Sequence, residues 1–145
     1  MKSDDLNKYL VAQSNFYETA IQEIKNSKKI SHWMWYIFPQ IQGLGNSEVS
    51  KKYSIKSIKQ GRDYLEHKIL YPRLIKATTY VYQIEDRTAL EIFGHTDNLK
   101  FKSSMSLFSI LSINDTLFDK VLNKYYNGVL CKKTQLWFKN QKNYN

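Results

Sequence analysis

The chain has 145 residues, 42% of them hydrophobic and 14% aromatic, which suits one folded domain with its own core and excludes a disordered chain. A single cysteine, Cys131, excludes an intramolecular disulfide and a cysteine-built zinc site, and no run approaches the roughly 18 apolar residues of a membrane span. The net charge of +9 points to polyanions, but 19 lysines stand against 3 arginines and are scattered. A dedicated nucleic-acid binder favours arginine, so nucleic acid is the less favoured partner.

From the N-terminus, Leu6, Tyr9, Leu10, Phe16, Tyr17, Ala20, Ile21 and Ile24 recur at helical spacing and predict a helix over 4–26. Ser3 or Asp4 is its expected cap, and Lys25, Lys28 and Lys29 suit its negative end. Ser31 reads as the cap of a short helix over 32–37, which Pro39 must end. Gly43 and Gly45 mark a loop before a helix led by Ser47. Further helices are predicted over 57–67 and from Pro72, in a first turn, to about Glu85.

Thr88 and Glu91 have the spacing of a capping box, and Gly94 should stop that short helix. Asp97 is the expected cap of a largely buried helix carrying Met105, Leu107, Phe108, Ile110 and Leu111. Asp115 is expected to cap 116–127, and a last helix covers 133–140. No period-two run or repeat appears. The expected fold is all-α: a compact single-domain bundle of seven to eight short and medium helices at mixed crossing angles, with a core over 4–136 and a polar tail over 137–145. With no signal segment at its start, the protein reads as soluble and cytoplasmic.

Signatures of nucleotide loops, zinc proteases and serine hydrolases are absent, and the histidines at 32, 67 and 95 lack metal-ligand spacing. No metal and no cofactor is therefore expected. Cys131 reads as an inert loop thiol. Two polar features exceed what packing needs. In "SHWMWYIFPQ", residues 31–40, His32 and Gln40 flank Trp33 and Trp35, the mix of apolar wall and few polar groups that lines small-molecule pockets. In "DNLKFKSSMSLFSILS", serines 103, 106 and 109 repeat every third residue. They can bond back to their own helix carbonyls, or Ser103 and Ser104 can join Lys100 or Lys102 and the helix start in an anion site. Asp97 could cap there or act as a general acid or base.

The blocks "SHWMWYIFPQIQGLG", "EIFGHTDNLKFKSSMSLF" and "YYNGVLCKKT" resemble the signature of the bacterial domain-of-unknown-function 1810 family, some members of which are labelled calpastatin-like. The resemblance runs from about Leu6 to about Leu136 and implies a helical single domain, with no assigned activity. It also implies an aspartate where this chain has Cys131, a helix cap whose replacement by cysteine costs about 1 kcal/mol.

These readings give a pocket for a small anionic, nucleotide-like ligand. Trp33 or Trp35 would supply a stacking face, His32 and Gln40 polar contacts, and Lys100 with Ser103 and Ser104 the anion site. In an enzyme, His32 or Asp97 would do the acid–base work of a metal-independent hydrolysis or group transfer. The second reading is a non-catalytic adaptor that binds nucleic acid or a protein through its lysine-rich face.

Overall fold

The N-terminal apolar stripe folds as α1 (Lys2–Lys25), which buries Leu6, Tyr9, Tyr17, Ala20, Ile21 and Ile24 and leaves Phe16 at its edge. The computed structural model describes residues 2–113 and 116–141, with side chains from Leu6 onward, so the expected caps at Ser3 or Asp4 and at Asp115 lie outside the described residues. Eight more helices follow among the described residues: α2 (Met34–Ile37), α3 (Glu48–Lys52), α4 (Ile58–Glu66), α5 (Leu70–Gln83), α6 (Ala89–Phe93), α7 (His95–Leu111), α8 (Leu117–Tyr126) and α9 (Lys132–Lys139). The all-α expectation holds, and no strand occurs among the described residues.

Where a helix start is written locally, the structure follows it. Ser47 accepts from the Ser50 amide, Ser57 from that of Gln60, and Thr88 and Glu91 form the reciprocal box that satisfies free first-turn amides. Thr116 and Asp119 form a second box at α8. Two expected caps do other work. Ser31 hydrogen-bonds Glu23 of α1, and α2 begins later, after Trp33, with no side-chain cap. Asp97 lies inside the first turn of α7, which starts at His95 directly after Gly94. Gly94, with φ of +85°, is the single residue joining α6 to α7.

Helix α7 is the central element and packs on α2, α4, α6, α8 and α9, while α1 packs on α2, α4 and α5. Phe101, Met105, Leu107 and Phe108 are buried, whereas Ile110 and Leu111 are only partly so. Phe38 meets Phe101 edge-on at 4.9 Å, Phe101 stacks on Phe93 at 4.5 Å, and Trp33 lies 6.1 Å from Phe38. The core also runs past 136, because α9 buries Phe138.

Between α2 and α4 the chain makes a wide loop. Its ends meet at Ile41 and Ile55 in an isolated parallel bridge: the Ile55 amide donates to the Gln40 carbonyl at 2.7 Å, and the Gln42 amide to that of Ile55 at 3.0 Å. Segment 42–54 is therefore a closed ring that carries α3.

Candidate functional site

Trp33 is wholly buried, and its indole N–H donates to Glu23 Oε1 at 2.9 Å. Glu23 also receives the amides of Ile30 and Ser31 and the Ser31 hydroxyl. Burial alone would raise this carboxyl, but the donors from Ser31, Ile30 and Trp33 outweigh it and pull the pKa down to about 2. The node fixes the turn between α1 and α2, and with it the direction of the aromatic segment.

That turn delivers Lys29 into the interior. Its ammonium, on a side chain only 5% exposed, lies 2.6 Å from Asp97 Oδ2 and 5.0 Å from the Trp33 ring centre. The other oxygen of Asp97 takes Lys100 at 3.2 Å, and the Lys100 ammonium stands 4.5 Å from the ring centre of Trp35. One carboxylate thus holds two ammonium groups, each set against a tryptophan face, an arrangement that ion pairing and cation–π attraction both favour.

Trp35, half-buried, is also a wall of a cleft of about 470 Å³ built by the ring between α2 and α4. Backbone and side chains from Gln42 to Asn46 form one side, and Ser50, Lys51, Ser54 and Lys56 the other. Two lysines and no carboxylate line it. Lys56 donates to the Lys51 carbonyl and to the Ser54 hydroxyl, so its charge is fixed at the rim. Gly45 is required where it stands: a Cβ there would lie 2.9 Å from Ser50 and 3.0 Å from the Trp35 ring.

The structure therefore brings together Trp33, Trp35, Asp97 and Lys100, and sets the remaining expected site residues elsewhere. His32 is exposed, and its carbonyl accepts from the Tyr36 hydroxyl. Gln40 is 1% exposed; its amide donates to the Phe38 carbonyl at 3.4 Å, and its Oε1 has no partner. Ser103 and Ser106 bond back to the carbonyls of Leu99 and Lys102. Ser103 lies about 12 Å along α7 from its first residue, so neither it nor Ser104 reaches the helix end. Ser104 is fully buried, with its hydroxyl unpartnered. The residues that sequence reasoning missed are Glu23, Lys29, Lys51 and Lys56. Lys29 read as a cation at the end of α1; a helical period carries no signal of its partner on α7.

Cys131 stands just outside α9 at its N-cap position, where its side chain makes no capping hydrogen bond. Among the described residues no cluster of three or more metal-ligating side chains occurs, and no helix is long and apolar enough to cross a membrane.

The family described as "protein of unknown function (DUF1810)" matches residues 3–137. The chain belongs to this family. A solved structure, that of the conserved hypothetical protein Rv1873 from Mycobacterium tuberculosis, superposes with a TM-score of 0.90 at 38% identity, over 92% of this chain and 95% of that one. A comparison with curated proteins finds no match. Membership in DUF1810 thus accounts for the fold.

Proposed function

We propose that this DUF1810 protein binds a small anionic, nucleotide-like ligand in the cleft beside Trp35. The observation that carries the reading is the lining: an aromatic wall, a glycine-bearing loop and two lysines, with no carboxylate. The cleft falls within the roughly 300–1,000 Å³ of small-molecule sites, and such sites pair an apolar wall with a few polar groups. Trp35 offers a flat surface to a ring, while Lys51 and Lys56 offer charge to a phosphate. Lys100, held by Asp97, keeps Trp35 in place from outside the cleft. Trp33 and Glu23 support this wall from the core; they take no part in contact.

Metal-independent hydrolysis or group transfer would require a proton carrier. Asp97 has both oxygens engaged by ammonium groups, and His32 is exposed and does not line the cleft, so neither supports that chemistry there. The reading is first one of binding.

A thermal-shift screen with nucleotides, sugar phosphates and nicotinamide dinucleotides tests it. A ligand at 100 times its Kd stabilises the fold by about 2.7 kcal/mol, and Trp35→Ala or Lys51→Gln should remove the shift. A flat screen overturns the proposal. Binding to nucleic acid that collapses between low and physiological salt would favour the adaptor reading instead.

A further inference from the structure

We infer that the open face of α9 docks an acidic amphipathic helix of a partner protein. Beside α9 runs a groove of about 420 Å³ whose apolar lining includes Ile110 from α7, Leu130 and Phe138. It shares no lining residue with the cleft beside Trp35, so the inference stands apart from the ligand reading. Lys132, Leu136 and Lys139 border the groove from α9. Their spacing of four and then three residues sets them on one stripe of the helix, because 3.6 residues make a turn. Leu136 is half exposed, and the two lysines that flank it are exposed as well.

Charge decides what covers this stripe. The groove is lined by two lysines and no carboxylate, and neither lysine pairs with a carboxylate among the described residues. From Lys120 to its end the chain carries six lysines and no acidic residue. A second copy meeting this face across a two-fold axis would set lysine against lysine, which disfavours self-association. A nucleic acid would engage the lysines through its phosphates and leave the apolar groove uncovered. A partner helix with both acidic and apolar residues satisfies the whole stripe. Lys132 and Lys139 lie about 10 Å apart along the helix axis, so carboxylates seven residues apart on a facing helix match them. Apolar residues three and four places after the first carboxylate then fall on Leu136 and the groove.

The test uses the full chain and a synthetic alanine-based helical peptide of about four turns. The peptide carries glutamates seven residues apart, with leucines three and four places after the first. The same peptide with glutamine in place of glutamate is the control. Titration is followed by the backbone amide NMR shifts of the protein. The expected result is a saturable shift confined to α9, Leu130 and the end of α7. Affinity should fall about tenfold or more for the glutamine peptide, for Leu136→Asp, and for Lys132→Glu combined with Lys139→Glu. A peptide with lysines in place of the glutamates should bind that double variant, and this rescue separates a lost contact from a lost fold. No saturable shift up to millimolar peptide, equal binding of the glutamine peptide, or binding that Leu136→Asp leaves unchanged overturns the inference. So does a dimer that excludes the peptide and dissolves in Leu136→Asp, which would give the face to a second copy. Phosphatidylserine vesicles bound in place of the peptide would give it to a membrane and overturn it as well.

Discussion

Glu23 shows how much one buried carboxylate can hold. Four donors keep it ionised well below its unfolded value, so its contribution is complete above about pH 4.5 and is lost as pH falls toward 2. The shift corresponds to about 3 kcal/mol. Denaturant unfolding should therefore show stability falling across that window, and Glu23→Gln should lose about 2 kcal/mol at pH 7 and flatten the acid limb. An acid limb unchanged in the variant would show that other carboxylates drive it. Asp97 is the complementary case. Its replacement by Asn strands the buried Lys29 ammonium, and the expected cost is about 3 kcal/mol. Urea titration at neutral pH measures it. A loss under 0.5 kcal/mol, typical of an exposed pair, would show that Lys29 escapes to solvent.

At the scale of elements, the joint between α6 and α7 is the sharpest test of backbone argument. A Cβ on Gly94 would meet nothing within 4 Å, yet its φ of +85° with ψ of 173° is open to glycine almost alone. Gly94→Ala should cost about 2 kcal/mol through backbone strain. A thermal unfolding midpoint equal to that of the parent would refute this. The helices were legible wherever their ends are local: Ser47, Ser57 and the Thr88–Glu91 box act within their own first turns, so spacing reveals them. Ser31 and Asp97 were misread because their oxygens go to Glu23 and to Lys29, partners distant in sequence that no local pattern encodes. The aromatic segment was legible as a special stretch, but which tryptophan is core and which is wall depends on the Glu23 bond, itself a tertiary contact.

For the molecule as a whole, charge separates the two functional readings. A net charge of +9 repels itself, so raising ionic strength from about 0.01 to 0.15 M should raise the unfolding temperature by a few degrees. Absence of that rise would place the lysines in compensating pairs. A small anion meets few of these charges and should lose little affinity over the same range, whereas a polyanion laid across many lysines should lose orders of magnitude.

The bridge between Ile41 and Ile55 has a consequence in time as well as in shape. Because the ring is closed by two backbone hydrogen bonds, the entropy of ordering the cleft walls is spent when the chain folds, not when a ligand arrives. The amide protons of Gln42 and Ile55 are the latch. If they exchange with solvent only as fast as the core of α7, the site stands ready-made; if they exchange as fast as a surface loop, each binding event must first rebuild its own wall.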